Sequence, residues 1–180
     1  MLPIGPLMIE HRLIEKMIMV IGKEIDRCES EGSINLEFID AAVDFIRMYA
    51  DKCHHGKEED ILFRDLREKQ LPDDLKNIVS ELIEEHQLGR KAVGDLVEAK
   101  RKYMHGDKQA LPVILDCLRY MTDFYPKHIE KEDKHFFLPC MNYFTSEEKE
   151  AMLKEEGEFD KNLIHQIYKD KISAWNTDSP

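Results

Sequence analysis

A chain of 180 residues, 35% charged and 42% hydrophobic, is long enough to bury one core without disulfides or structural metal. Its 37 acidic against 26 basic residues give a formal net charge of -11, which argues against nucleic acid or an anionic membrane as a partner. No run of about 18 apolar residues marks a membrane span. The first residues, Met1 to Pro6, lack the basic start and apolar core of a secretory leader, and the four cysteines (Cys28, Cys53, Cys117, Cys140) form no C-x-x-C pair. A reducing cytoplasm is the expected setting.

Pro3, Gly5 and Pro6 make an irregular lead-in, and a helix is expected from about Pro6, where proline is tolerated in the first turn. His11, Ile14, Ile18, Ile21 and Ile25 then recur every three or four residues, one helical stripe with a histidine on it. Glu29 to Ser33 reads as a turn, and Asn35 as the N-cap of a second helix over about 36–69. Its inner stripe is Ile39, Val43, Ile46, Ala50, His54, Glu58 and Ile61 or Leu62. Gly56 in mid-helix costs about 1 kcal/mol against alanine, and metal ligation on both sides is the expected compensation. Gln70 to Asp73 breaks the chain, and a third helix carries Val79, Leu82, His86, Arg90, Val93 and Val97 to a stop at Gly106. The fourth carries Ile114, Cys117, Met121, Tyr125 or Phe124, His128, Glu132 and His135 or Phe136, with a bend expected at Pro126. Thr145-x-x-Glu148 is a capping box that opens a polar fifth helix to about Lys171, with a frayed tail from Ser173. No stretch alternates with period two for long enough to be a strand. The expected fold is all-α: an antiparallel up-down-up-down four-helix bundle over residues 1–144, with a C-terminal helix and tail, 145–180, packed on the same domain.

One motif occurs twice. Aligning Cys53–Phe63 with Lys127–Phe137 brings His54 onto His128, Lys57 onto Lys131, Glu58 onto Glu132 and Phe63 onto Phe137. Each copy sets a histidine and a glutamate four residues apart, one turn along the same helical face. Antiparallel neighbours sit level when they are equidistant from the turn between them. His11 and His55 are equidistant from Ser33, the His54/Glu58 turn and His86 from Leu71, and His86 and His128 from Asp107. Each of those midpoints falls in a turn placed by glycine, proline or cap residues. A lone buried histidine is ordinarily a core residue. Four at one level, two of them with a glutamate, point to a metal, and cations remove the cost of burying two carboxylates.

These residues resemble the hemerythrin-like, or HHE cation-binding, family. The resemblance is carried by Glu10-His11, His54-His55-x-x-Glu58-Glu59-x-x-Leu62-Phe63, Glu85-His86 and His128-Ile129-x-x-Glu132, and spans about Met8 to Cys140. It implies a non-haem centre of two irons in a four-helix bundle. By that match His11, His54, His86 and His128 are nitrogen ligands and Glu58 and Glu132 bridge the ions; zinc or manganese suit the same groups. The oxygen-carrying members have H-x-x-x-H in the third helix, where this chain has Arg90. They also have H-x-x-x-x-D in the last helix, which Asp133 satisfies as an alternative to Glu132. Glu132 is preferred because it repeats the His54/Glu58 spacing. Arginine does not bind iron, so one position is open or filled by His55 or a tyrosine such as Tyr125; otherwise His55 supports the ligands or faces solvent. His105 and His135 read as surface or supporting groups. The ferritin-like carboxylate arrangement needs two E-x-x-H motifs, and only Glu132-x-x-His135 fits.

The expected activity is binding of, or reaction with, a small oxidant: dioxygen, peroxide or nitric oxide, with a reductant as partner if the site turns over. The alternative is a non-catalytic iron or oxygen sensor, in which metal occupancy steadies the bundle and a protein partner reads the acidic fifth helix.

Overall fold

A computed structural model describes residues 1–175, and all the regular secondary structure among them is helical. Helix α1 is Ile4–Glu31, α2 covers 36–67, α3 is Asp73–Met104, α4 covers 110–140 and α5 is Ser146–Trp175. Helix α1 starts two residues earlier than its prolines suggested, with Pro6 inside the first turn. It ends at Gly32, whose φ of 71° is a left-handed conformation that suits glycine. The Asn35 side chain then accepts a hydrogen bond from the Phe38 N–H and caps α2. Thr145 and Glu148 form the reciprocal capping box: the Thr145 N–H donates to Glu148 Oε2 at 2.8 Å, and the Glu148 N–H to Thr145 Oγ1 at 3.2 Å. Helix α4 runs on through Pro126. Helix α5 extends past Lys171 to Trp175, so Ser173 to Trp175 are helical where a frayed tail was expected; the rest of that tail lies outside the described residues.

Neither motif-bearing helix is uniform. Helix α2 is α-helical over Leu36–Phe45, π-helical over Ile46–His55 and Glu58–Leu62, and α-helical again over Phe63–Arg67. Helix α4 is α-helical over Ala110–Lys131, π-helical over Glu132–Phe136 and α-helical over Phe137–Cys140. The wide turns that begin at Glu58 and Glu132 occupy the same place in the two motifs, so the repeat in residues is also a repeat in backbone. A π turn bonds residue i to i+5, which lets one extra residue into a helix. That is what the longer π segment of α2 does. The buried Ile39, Ile46 and Ala50 match Ile114, Met121 and Tyr125 at a constant offset, yet His54 matches His128 at an offset one shorter.

The apolar core is in two parts. One packs Ile14, Ile21, Ile46, Leu96, Leu118 and Met121; the other packs Ile4, Leu7, Phe63, Leu82, Phe136 and Phe137. Along each of α1 to α4, the motif residues fall where one cluster gives way to the other, with Ile129 of the first cluster next to His128. Helix α5 adds Met152 and Phe159 to the second cluster. An alanine Cβ at position 56 would meet the Phe159 ring at 2.8 Å. The close approach of α5 is therefore what requires glycine at position 56.

Candidate metal centre

All six predicted site residues, His11, His54, Glu58, His86, His128 and Glu132, are buried, and they lie in one layer. His11 and His54 present their Nε2 atoms to each other at 2.9 Å. Glu58 Oε1 lies 3.6 Å from His54 Nε2, while its Oε2 lies 3.4 Å from His86 Nε2. Glu132 Oε2 lies 3.1 Å from His11 Nε2, while its Oε1 lies 3.4 Å from His128 Nε2 and 3.9 Å from His86 Nε2. Each carboxylate thus reaches from the His11/His54 pair to the His86/His128 pair.

The outward nitrogens are all engaged. His54 Nδ1 is 3.0 Å from Glu10, His86 Nδ1 is 2.6 Å from Glu59, His128 Nδ1 is 2.8 Å from Glu85, and His11 Nδ1 is 2.8 Å from Asp133. The pattern is cyclic. An acid on α1 holds the histidine of α2, α2 that of α3, α3 that of α4, and α4 that of α1. A carboxylate at Nδ1 sets that nitrogen as the donor and leaves the Nε2 lone pair facing inward, which is the arrangement metal-binding histidines use. The signal was present in the sequence as acids adjoining the motif residues: Glu10 beside His11, Glu59 beside Glu58, Glu85 beside His86, Asp133 beside Glu132. What went unread was that each acid serves a different helix.

By itself the chain can balance the charges of this layer only through protonation. Both oxygens of Glu58 and of Glu132, and the Nε2 atoms of His86 and His128, are buried without a hydrogen-bond partner. Burial, and then the neighbouring Glu132, hold Glu58 well above the usual carboxylate range. Burial works the same way on Glu132, but His128 and His11 outweigh it and hold Glu132 well below. Burial lowers His11, yet the hydrogen bond to Asp133 and the adjacent Glu132 carboxylate bring it up to about 9. A proton on His11 then separates the two Nε2 atoms that face each other at 2.9 Å, and a divalent cation does the same work better. Imidazole and carboxylate donors of this kind suit iron, zinc and manganese.

Of the alternatives left open by the sequence, Asp133 is half-buried and turned to His11 and Arg12, and Glu132 is the inward acid. His105 and His135 are exposed. His55 is buried rather than facing solvent, its ring stacked on His86 with centroids 3.8 Å apart and planes at 11°. His55, His86 and His128 each bring a ring nitrogen within reach of one point. However, a nitrogen lone pair lies in its ring plane. One ion about 2.1 Å from both nitrogens cannot lie in two nearly parallel planes, so His55 and His86 do not share an ion in this arrangement. Tyr125 is buried beside Phe124 and is no nearer to a ligand role.

Sequence reasoning also missed Lys57. It is fully buried and pairs with Glu10 and, at 2.9 Å, with Asp160 of α5. Its counterpart Lys131 pairs with Glu85 at 2.6 Å from a more exposed position.

Fold and layer together define a helical-bundle protein with a buried histidine–carboxylate, cation-binding site. The model of the Hemerythrin HHE cation binding domain matches residues 2–140, and the chain belongs to that family. Neither the curated proteins nor the solved structures compared with it include a match.

Proposed function

We propose that α1 to α4 form an antiparallel four-helix bundle holding two ions, most suitably iron. His11 and His54 serve one ion, His86 and His128 the other, and Glu58 and Glu132 bridge them. The observation that carries this reading is that both inward glutamates reach both histidine pairs while making no hydrogen bond of their own. Two irons held there would supply electrons to a small oxidant such as dioxygen, peroxide or nitric oxide. The chain's share is to hold four Nε2 atoms and two carboxylates in place, to orient them through Glu10, Glu59, Glu85 and Asp133, and to exclude water with Phe63 and Phe137. These rings lie parallel to His86 and His11, at centroid distances of 6.0 and 5.5 Å. Four free thiols suit a reducing compartment such as the cytoplasm.

One observation favours a sensing role for the same centre. His54 joins Glu10, Glu10 joins Lys57, and Lys57 joins Asp160 on α5, so a change at the ion pair has a polar path to the fifth helix. The test of both readings begins with metal content per chain and the near-ultraviolet and visible spectrum of aerobically purified protein. Two irons with a ligand-to-iron charge-transfer band, both lost in His54→Ala and Glu132→Ala, are expected. No metal, or one readily chelated zinc, overturns the two-ion centre. Oxidant consumption then separates an enzyme from a protein whose melting alone responds to metal.

A further inference from the structure

The two halves of the chain repeat one another. Buried Ile4, Leu7, His11, Ile14, Ile18 and Ile21 of α1 have as counterparts, at a constant offset, the buried Val79, Leu82, His86, Gly89, Val93 and Leu96 of α3. At one place the match in bulk fails: Gly89 stands where Ile14 fills the other half. His55 stands where the other half has the buried apolar Ile129. Side-chain volume is missing there and an imidazole has been added.

A cavity of about 80 Å³ occupies that place, with Arg47, Asp51, His55, Gly89, Arg90 and Tyr125 in its wall. Such a space takes roughly two or three waters, or one molecule of three heavy atoms. His55 is 2% exposed, and neither of its ring nitrogens has a hydrogen-bond partner. Its Nδ1 is 3.5 Å from Asp51, beyond good hydrogen-bond length. Its stacking on His86 keeps it from sharing that residue's ion, so its donor capacity is left for whatever enters. Tyr125 stays a phenol, raised by burial, and a phenol donates. At the mouth stand two exposed guanidinium groups. Arg90 is tied to Asp51 and Glu59, each at 2.8 Å, which neutralises the carboxylate in the wall. Arg47 is in no ion pair with a described residue. Because Arg90 is shared between two carboxylates, the positive charge left to favour an anion in the cavity is that of Arg47.

We propose that this cavity binds a small anion of about three heavy atoms, admitted past Arg47 and Arg90 and held by hydrogen bonds from His55 and Tyr125. The wall is built by the chain alone, so the binding step does not need the metal; when the centre is loaded, the anion lies one ring from His86. The inference therefore extends the proposed function by giving a delivery site on the His86 side, and it can fail separately.

Formate and its neutral isostere formamide are titrated into protein labelled with ¹⁵N-histidine, zinc-loaded and metal-depleted, following the His55 ring signals, with zinc counted in the same samples. Formate is expected to shift His55 saturably in both forms, and formamide to bind about tenfold more weakly for want of the charge. Arg47→Gln, at an exposed position, weakens formate about threefold. Val93→Phe, which puts a ring into the cavity, abolishes the shift. If that variant loses its helical circular dichroism, Val93→Leu, a smaller enlargement of the same wall residue, replaces it and is expected to weaken formate several-fold, an unchanged affinity counting against the proposal. Equal responses to formate and formamide, no His55 shift at all, or a shift that survives filling of the cavity, overturns the proposal. A formate shift of His55 in protein that takes up no zinc when zinc is supplied supports the anion site and counts against the metal centre.

Discussion

At the scale of single residues, the site rests on four acids that touch no ion. A neutral imidazole offers two tautomers, and a carboxylate at Nδ1 removes the one that would turn a lone pair away from the centre. Glu59→Ala, Glu85→Ala and Asp133→Ala are each expected to weaken metal binding about 10–100-fold, read by competition with a chromophoric chelator. Glu132→Ala should cost much more than Asp133→Ala, because it removes the group placed between the ion positions. Equal losses would return the choice between those neighbours to open ground. The pairing of these inward residues was legible in the sequence because helical spacing alone puts His54 over Glu58 and His128 over Glu132. The ring of supporting acids was not. Which histidine Glu10 or Asp133 holds depends on which helices are neighbours and on the side from which they approach, and no residue spacing contains that.

At the scale of elements, helix existence and caps were legible from stripes and end signals: Asn35, Gly106 and the Thr145/Glu148 box all act as read. The π turns were not, because they shift a stripe by one residue and the motif stripe survives that shift. Helix α5 shows what polarity alone conceals. It reads as a polar helix packed on the bundle, and even its acids reach the interior: Glu156 is 2% exposed on its inner side, with Oε2 unpartnered. Burial lifts the Glu156 carboxyl to about 8, with Lys57 opposing and Glu10 and Asp160 reinforcing the rise. In the unfolded chain the group titrates near its ordinary value of about 4.5, so between about pH 4.5 and 8 the folded state binds the extra proton. Stability is thus undiminished by this group below that window, falls as pH rises through it, and stays lowered above it. Thermal melts of the wild type and Glu156→Gln from pH 5 to 8.5 are expected to diverge, with the variant gaining on the wild type at each step upward. Parallel curves would mean that the carboxylate is solvated in its ionised form.

At the scale of the whole molecule, a polar layer divides the core, and that layer links binding to stability. Two apolar clusters meet at a plane holding two buried glutamates and four inward Nε2 atoms. Unpaired buried charge is costly, and partial protonation is the only relief the chain has by itself. Cations that bind the folded but not the unfolded chain add stability by mass action, about 4 kcal/mol when free metal exceeds Kd by about 1,000-fold. For a chain of this size each kcal/mol moves Tm by roughly 2–4 °C, so stripping the metal should lower Tm by about 8–16 °C. Calorimetry on loaded and chelator-stripped protein measures it. The loss should also have a place. Amides in the turns around His54, Glu58, His128 and Glu132 are expected to lose hydrogen-exchange protection first, because both apolar clusters keep their packing while the layer between them loses its cations. A uniform loss of protection would mean that the layer and the clusters unfold as one unit. An unchanged Tm would mean that His11, carrying its proton, already balances the layer, and that metal is not what holds α1 to α4 together.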